Sequence, residues 1–219
     1  MENHFNLSDT YQIKNNCKVY DLQKCYAYLD WQGKHTYGQT FKIIAEDKLI
    51  IAKLLIYSIR DHENALKLGL DLNKGILLSG PIGCGKTSIM HLLKPFANSK
   101  HNYKIKTTRE VSFEFAKNGF EALKVYTQKP NNLNRLSGYC FDDLGAEKQI
   151  KHFGNDCNVI AEILISRYEQ FIENNSVTHI TTNLTASEIE NYYGNRVRSR
   201  LRNMFNLVAF EKDVKDKRL

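Results

Sequence analysis

One short motif restricts the fold of this chain more than any other feature of its sequence. It matches the pattern G-x-x-x-x-G-K-[ST], and it lies between an apolar run at residues 75–79 and a segment with helical periodicity. A strand, a glycine-rich turn and a helix in this order allow backbone N–H groups and the helix N-terminus to surround a phosphate group. The residues of the motif are Gly80, Pro81, Ile82, Gly83, Cys84, Gly85, Lys86 and Thr87.

The last residues of the motif carry separate predicted roles. We expect Lys86 to reach the β and γ phosphates of a nucleotide, and the Thr87 hydroxyl to ligate Mg²⁺. Ser88 completes the predicted nucleotide-binding set. The alternative is a glycine-rich turn that merely contains Lys-Thr, and the flanking strand and helix disfavour it. The motif therefore predicts ATP and Mg²⁺ as ligands.

The rest of the chain predicts a parallel sheet, because short apolar runs alternate with helical patterns. Predicted strands cover residues 75–79, 103–107, 138–142, 178–182 and 207–210. Predicted helices cover residues 86–97, 109–127, 158–174, 186–193 and 196–205, with loops at 128–134 and 148–156. The predicted fold class is α/β, a five-stranded parallel sheet flanked by helices.

The segment before the motif has a different pattern. Residues 1–40 are rich in Tyr, Asn and Lys without clear periodicity, which predicts an irregular lead-in, and residues 41–68 have the apolar spacing of one long helix. We therefore predict two domains. Residues 1–70 would form a small, mainly helical region that binds a partner, and residues 71–219 would form the domain that contains the motif.

Composition and charge restrict the location and the partners of the protein. No apolar run approaches the roughly 20 residues that span a bilayer, and the first residues do not resemble a signal peptide, so we expect a cytoplasmic protein without membrane contact. The net charge is +7. The basic excess lies in residues 74–219, because residues 1–73 hold equal numbers of acidic and basic side chains. Such a surface is compatible with nucleic acid, and equally with a merely basic soluble protein.

Polar side chains follow two of the predicted strands. Asp142 and Asp143 end the strand at residues 138–142, where they would face the ligand crevice of a parallel sheet. We predict that Asp142 holds Mg²⁺ and that Asp143 acts as the base that orients the attacking water, with Glu147 as a weaker candidate for that role. Asn183 follows the strand at residues 178–182 and could hold the same water, although an Asx turn before a helix explains it nearly as well.

Four arginines at alternate positions follow Asn183 in the sequence. Helical spacing places Arg196 and Arg200 on one face, and Arg198 and Arg202 on another. One pair could stabilise charge that develops at a γ-phosphate, while the other could meet a DNA backbone. A solvated basic helix is the alternative.

Taken together, residues 70–211 resemble the AAA+ family, in particular the DnaC-type helicase loaders and the IstB-type transposition ATPases. The stretches 141–147, 180–184 and 194–201 carry the resemblance most clearly. It implies that Asp142 and Asp143 form the Walker B motif and that Asn183 is sensor 1. It also implies that Arg196 is an arginine finger acting on a neighbouring subunit and that Arg200 is a sensor 2-like arginine.

The resemblance further implies what the protein does and with which molecules. The expected protein is an ATPase without a C-terminal helical lid, which assembles into an ATP-dependent homo-oligomer and loads a replicative helicase on single-stranded DNA. One alternative is an IstB-like ATPase that acts with a transposase on duplex DNA. Another is a nucleotide-gated scaffold with little turnover, because Asp143 is shorter than the glutamate that would serve as a base.

Overall fold

The computed structural model describes residues 5–130, 136–147, 150–152, 155–211, 213–214 and 216–217. The predicted loops at 128–134 and 148–156 therefore lie partly outside the described residues. The chain divides into two compact units. The first comprises Met1–Leu70 and Ser88–Lys100, and the second comprises Asp71–Thr87 and His101–Leu219. Along the chain, the first unit gives way to the second after residue 70. The sequence did not predict that residues 88–100 belong to the first unit.

The first unit begins with regular structure, so the prediction of an irregular lead-in over residues 1–40 was wrong. Strands β1 (Tyr11–Lys14) and β2 (Cys17–Tyr20) form an antiparallel hairpin whose two-residue turn has positive φ at Asn15 and Asn16. Helix α1 (Leu22–Tyr37) follows. The Asp21 side chain starts this helix by accepting hydrogen bonds from two backbone N–H groups of its first turn.

The prediction of one long helix over residues 41–68 was also wrong. The structure has α2 (Lys48–Ile59) and α3 (His62–Lys67), separated at Arg60, which has a left-handed backbone with φ 61°. The Asp61 side chain then caps α3 by accepting a hydrogen bond of 3.0 Å from the Asn64 N–H group. The apolar spacing continues through this break, and for that reason periodicity alone did not detect it.

The second unit is built on alternating strands and helices. The strand bounds at residues 75–79, 103–107 and 178–182 match the prediction, whereas the strands predicted at 138–142 and 207–210 differ from it by one or two residues at their ends. The elements that follow α3 are, in chain order, β3 (Gly75–Ser79), α4 (Lys86–Leu93), β4 (Tyr103–Thr107), α5 (Thr108–Asn118), α6 (Glu121–Thr127), β5 (Gly138–Leu144), β6 (Ile150–His152), β7 (Asn155–Cys157), α7 (Val159–Asn174), β8 (Thr178–Thr182), α8 (Ala186–Met204) and β9 (Phe205–Ala209). Of α4, only Lys86 and Thr87 belong to the second unit.

Five of these strands form a parallel sheet in the order β4-β5-β8-β3-β9, which confirms the predicted fold class. The register places Leu77 of β3 between Ile180 of β8 and Leu207 of β9. Because the strands are parallel, their carboxyl ends share one edge of the sheet. The loop after β3, the acidic end of β5 and the residue after β8 are thereby brought to the same edge. Strands β6 and β7 form a separate antiparallel hairpin.

Glycines divide two of the flanking helices. Gly119, with φ 59°, separates α5 from α6, so the single helix predicted over residues 109–127 was wrong. Gly194, with φ 82° and ψ 162°, kinks α8 at the point where the sequence predicts a change from one helix to the next. A left-handed backbone of this kind favours glycine, because any Cβ there is strained. None of the described helices is long and apolar enough to cross a bilayer. The described residues after Ala209 form no helix.

A buried arginine joins the amino-terminal ends of β5 and β8 to the helices. Arg167 of α7 is fully buried, and its guanidinium donates hydrogen bonds to the Thr178 hydroxyl and to three backbone carbonyls. The carbonyls belong to Tyr126, Ser137 and Val177. Burial lowers the pKa of Arg167 to about 9, although the nearby Tyr139 acts in the opposite direction. This polar centre was not predicted from the sequence.

Candidate functional site

The loop after β3 has the backbone that its glycines predict. Gly83 and Gly85 have φ values of 79° and 97°, in the left-handed region that disfavours residues with a Cβ. A Cβ on Gly83 would also lie 2.0 Å from an Asp216 carboxylate oxygen, so a larger residue would require the Asp216 side chain to move. The turn leads directly into α4 at Lys86. The helix N-terminus therefore points its free N–H groups towards the loop.

Lys86 lies inside this loop rather than on the surface. Its side chain is only 6% exposed, and its ammonium group donates hydrogen bonds of 2.8 and 2.9 Å to the carbonyls of Gly80 and Pro81. The charge is thus held against the backbone of the loop that the sequence assigns to phosphate. The mobile four-carbon stem of a lysine allows this charge to move by several ångströms without a change in the backbone.

Residues near the described end of the chain also contact the loop. The Lys217 N–H group donates a hydrogen bond of 3.2 Å to the Gly83 carbonyl, and its ammonium group donates one of 2.8 Å to the Cys84 carbonyl. The same ammonium lies 5.3 Å from the centre of the Phe210 ring. These contacts were not predicted from the sequence. No local pattern could have indicated the bonds to Gly83 and Cys84, because they lie more than 130 residues from Lys217 along the chain.

The predicted metal ligands Thr87 and Asp142 are in direct contact. The Thr87 hydroxyl oxygen lies 2.9 and 3.0 Å from the two carboxylate oxygens of Asp142. Asp142 is only 2% exposed, and its Oδ1 also accepts a hydrogen bond of 2.6 Å from the Thr181 hydroxyl. The structure therefore places a hydroxyl and a buried carboxylate side by side next to Lys86, as a magnesium–phosphate site requires.

Asp143 has a different environment from its neighbour. It is exposed and has a left-handed backbone with φ 55°, and β5 has a bulge at this point. Its N–H group donates a hydrogen bond of 2.9 Å to the Thr181 hydroxyl, and its carbonyl accepts one of 2.8 Å from the Thr108 hydroxyl. The bulge turns the Asp143 side chain away from the core, whereas Asp142 stays buried.

Glu147, the weaker candidate for a base, is engaged in other contacts. Its carboxylate accepts a hydrogen bond of 3.0 Å from the Gly145 N–H group and a short one from the Tyr193 hydroxyl. Burial and the negative charge of Glu147 raise the pKa of Tyr193, so this hydroxyl keeps its proton and remains a donor. These bonds join the loop after β5 to α8. They also occupy both carboxylate oxygens of Glu147.

Asn183 lies one residue beyond β8, at the same sheet edge as the acidic pair. Thr182, the last residue of β8, pairs with Leu144 and donates a hydrogen bond of 2.8 Å to the Leu144 carbonyl. The Thr182 hydroxyl also accepts a hydrogen bond from the Leu184 N–H group, which spans Asn183. The Asn183 side chain is exposed.

The arginines of α8 follow the kink at Gly194 and have unequal surroundings. Arg196 is exposed, whereas Arg200 is half-buried with its guanidinium 5.0 Å from the centre of the Tyr168 ring. Arg198 forms an ion pair with Glu190. Among the described residues, neither Arg196 nor Arg200 has a hydrogen bond, ion pair or ring contact with the loop at residues 80–87. The structure thus brings the loop together with Asp142, Asp143 and Asn183, and leaves both arginines outside this group.

The donor set fits ATP and Mg²⁺ on its chemistry. Backbone N–H groups, a lysine ammonium and a helix N-terminus suit phosphate oxygens, while the Thr87 hydroxyl and the Asp142 carboxylate are the oxygen ligands that Mg²⁺ prefers. In the described part of the chain, no group of three or more His, Cys, Asp or Glu side chains is arranged to hold a metal. Two protein ligands are nevertheless sufficient for Mg²⁺, which usually keeps several waters and binds phosphate oxygens as well.

Known proteins share the fold of this chain, although they share little of its sequence. No protein-family model matches the sequence, and no curated protein matches it either. The crystal structure of the DnaC helicase loader matches with a TM-score of 0.56 and 16% identity, over 78% of this chain and 93% of that one. A putative primosome component from Streptococcus pyogenes serotype M3 matches with a TM-score of 0.54 and 15% identity, over 84% and 91% of the two chains.

A third solved structure, that of DnaI, has a similar likeness. It matches with a TM-score of 0.52 and 19% identity, over 79% of this chain and 89% of that one. The match covers most of both chains in all three comparisons. At these identities the likeness concerns the arrangement of strands and helices.

Proposed function

We propose that this chain, whose fold is that of the DnaC-type AAA+ proteins, binds ATP with Mg²⁺ at residues 80–88 and hydrolyses it. One observation supports this proposal most strongly. The Thr87 hydroxyl and the Asp142 carboxylate, which are 55 residues apart in the sequence, lie within 3.0 Å of each other beside a glycine-rich turn. This is the arrangement by which the P-loop threonine and the Walker B aspartate hold Mg²⁺ in P-loop NTPases.

Each step of hydrolysis then has a residue of this chain to perform it. Lys86 exchanges its bonds to the Gly80 and Pro81 carbonyls for bonds to phosphate oxygens, because its ammonium is already inside the loop. Thr87 and Asp142 would hold Mg²⁺, which neutralises charge on the β and γ phosphates when bound. Asp143 accepts a proton from the attacking water, as its exposed position at the sheet edge allows.

The remaining predicted residues act on the same reaction. Asn183 holds the attacking water beside Asp143, since Asn183 follows β8 and Asp143 lies at the carboxyl end of the neighbouring strand β5. Arg196 is exposed on α8, as a residue that reaches the nucleotide of a neighbouring subunit must be. Arg200 serves as the sensor 2-like arginine within its own subunit. The protein therefore assembles into an ATP-dependent homo-oligomer.

We further propose that ATP turnover is used to load a replicative helicase on single-stranded DNA. The solved structures of the same fold include a helicase loader and a putative primosome component, which favours a helicase over a transposase as the partner. The N-terminal region, residues 1–70, would contact the helicase. The basic excess of residues 74–219 is suited to phosphate contacts with DNA.

Two measurements on the purified protein test this function. Steady-state ATP hydrolysis is measured with and without single-stranded DNA at low and high salt, with EDTA as the control for the requirement for Mg²⁺. We expect hydrolysis that needs Mg²⁺, and a response of hydrolysis to single-stranded DNA that weakens steeply with salt, because contacts with phosphates do. The replicative helicase of the same organism is then tested for capture by the protein in a pull-down assay. ATP binding without turnover would instead support the nucleotide-gated scaffold.

A further inference from the structure

The hydroxyl of Thr181 lies between the two acidic residues of the site. Thr181 is in β8 and is fully buried. Its Oγ1 lies 2.6 Å from Oδ1 of Asp142 and 2.9 Å from the backbone nitrogen of Asp143. A hydroxyl has one proton to donate, and it can accept from other donors. An ionised carboxylate can only accept and a backbone N–H can only donate, so the direction of both hydrogen bonds is fixed.

The sheet lacks its regular pairing at this position. Phe141 of β5 pairs with Ile180 of β8, and the next pair in the register is Leu144 with Thr182. Two residues of β5, Asp142 and Asp143, are thus opposite the single residue Thr181, which is the geometry of a β-bulge. In a bulge the extra residue is left unpaired, and a buried N–H without a partner is costly. The Thr181 side chain supplies the acceptor that the Asp143 N–H group needs.

The same hydroxyl therefore determines two features of the acidic pair. It holds the Asp142 carboxylate through Oδ1, which Thr87 also contacts, and it stabilises the left-handed backbone that turns Asp143 outwards. Thr108 completes the arrangement by donating to the Asp143 carbonyl. A threonine in a buried strand can be explained by β-propensity and packing alone. Valine would satisfy those demands equally well, and it would lack both hydrogen bonds.

We infer that Thr181 is a positioning residue, whose hydroxyl holds the metal-binding Asp142 and the proton-accepting Asp143 in their working positions. This inference rests on the proposed function, because the roles of the two aspartates belong to it. Thr181 itself is buried, and its hydroxyl contacts the two aspartates. Its effect passes through a carboxylate on one side and through a backbone N–H group on the other.

The first test measures the Asp143 backbone directly and needs no nucleotide. Amide hydrogen exchange is followed in the wild-type protein, in Thr181→Val and in Thr181→Ser. We expect the Asp143 amide to be protected in the wild type and in Thr181→Ser, and to exchange at least about ten-fold faster in Thr181→Val. A freely exchanging Asp143 amide in the wild type overturns the inference, and this result does not depend on how well any variant folds.

The second test measures the Asp142 carboxylate through Mg²⁺. Binding of a fluorescent ATP analogue is titrated with Mg²⁺ in the same three proteins. In Thr181→Val we expect the Mg²⁺ concentration that gives half of the maximal increase in analogue binding to rise about ten-fold. The affinity for the nucleotide in EDTA should stay unchanged. Thr181→Ser should restore the wild-type response because it keeps the hydroxyl. Equal Mg²⁺ responses in Thr181→Val and the wild type overturn the inference.

A control in the same strand separates positioning from loss of stability. Thr178 is buried at the opposite end of β8, where its hydroxyl accepts a hydrogen bond of 2.7 Å from Arg167. Thr178→Val should lower stability without moving the Mg²⁺ response or the exchange of the Asp143 amide. If Thr178→Val raises the Mg²⁺ concentration for the half-maximal response as much as Thr181→Val does, both effects result from general destabilisation. If the wild type binds no ATP, the proposed function fails, whereas the exchange test still decides the role of Thr181.

Discussion

Asp143 combines an exposed carboxylate with a backbone that few residues tolerate. Its φ of 55° lies in the left-handed region, where aspartate and asparagine are several-fold enriched among residues other than glycine. A glutamate would carry its carboxylate one methylene further, but it has a weaker preference for this backbone. The shorter side chain at this position is therefore consistent with the bulge in β5, and it need not indicate a protein without turnover.

Substitution of Asp143 by asparagine tests its role as the base. Asp143→Asn keeps the left-handed backbone and the size of the side chain, but it cannot accept a proton. We expect ATP binding close to that of the wild type, and hydrolysis slower by at least about a hundred-fold, the usual contribution of a positioned base. Steady-state turnover and nucleotide titration measure the two effects separately.

Glu147→Gln provides the control for this substitution. The amide oxygen of glutamine can still accept a hydrogen bond from Gly145 or from Tyr193, so the loop after β5 should keep its position. We expect turnover within a few-fold of the wild type. Slow turnover in Glu147→Gln, together with normal turnover in Asp143→Asn, would move the role of base to Glu147.

At the level of single residues, sequence and structure agree where a motif fixes the spacing. The glycine-rich loop and the acidic end of β5 were predicted from pattern, and the structure places Thr87 and Asp142 in contact. Thr181 and Lys217 were missed. Their contacts join positions 39 and 133 residues apart, and a threonine in a strand has no pattern that distinguishes a bridging hydroxyl from a packing residue.

At the level of elements, the strands were predicted better than the helices. Buried parallel strands are short apolar runs, and three of the five core strands have the predicted bounds. The helices over residues 41–68 and 109–127 are each divided by a left-handed residue, Arg60 or Gly119. The apolar periodicity continues across such a break, because the helix on each side of it packs its apolar face against the core. The hairpin and α1 were missed because their apolar residues follow no regular spacing over residues 1–40.

Arg167 connects several elements, and its removal should destabilise the second unit. Arg167→Met fills similar volume, but it leaves the carbonyls of Tyr126, Ser137 and Val177 without their buried donor. We expect the free energy of unfolding to fall by about 3 kcal/mol, because these buried carbonyls lose their hydrogen-bond donor. Urea unfolding measures this change.

The exposed Arg202 on α8 is the matched control for this variant. Arg202→Met makes the same chemical change on the surface, where substitutions usually alter stability by less than about 0.5 kcal/mol. If Arg167→Met and Arg202→Met unfold at the same urea concentration, the buried hydrogen bonds of Arg167 do not stabilise the fold.

At the level of the whole molecule, the exposed position of Arg196 makes assembly testable. If Arg196 reaches the nucleotide of a neighbouring subunit, Arg196→Ala should keep its own nucleotide affinity and lose about a thousand-fold in hydrolysis. Mixing Arg196→Ala with Lys86→Ala subunits should then restore part of the turnover. The first variant supplies an intact phosphate loop and the second an intact arginine at a shared interface.

The trans assignment also requires two controls. Arg202→Ala, on another face of α8, should leave hydrolysis unchanged in the absence of DNA. Co-assembly of the two mixed variants is established by size-exclusion chromatography or cross-linking in the presence of ATP. A co-assembled mixture with no more activity than its two components would show that Arg196 does not act on a neighbouring subunit.

The central claim is that residues 80–88 bind the phosphates of ATP, and a nucleotide titration of Lys86→Ala tests it most directly. A fluorescent ATP analogue is titrated with Mg²⁺ into the wild type, Lys86→Ala and Lys117→Ala, which removes an exposed lysine of α5. Thermal unfolding is measured alongside, because Lys86 also bonds to the Gly80 and Pro81 carbonyls. We expect Lys86→Ala to bind about a hundred-fold more weakly while remaining folded, and Lys117→Ala to bind like the wild type. Equal affinity in all three proteins would contradict the assignment of this loop to ATP.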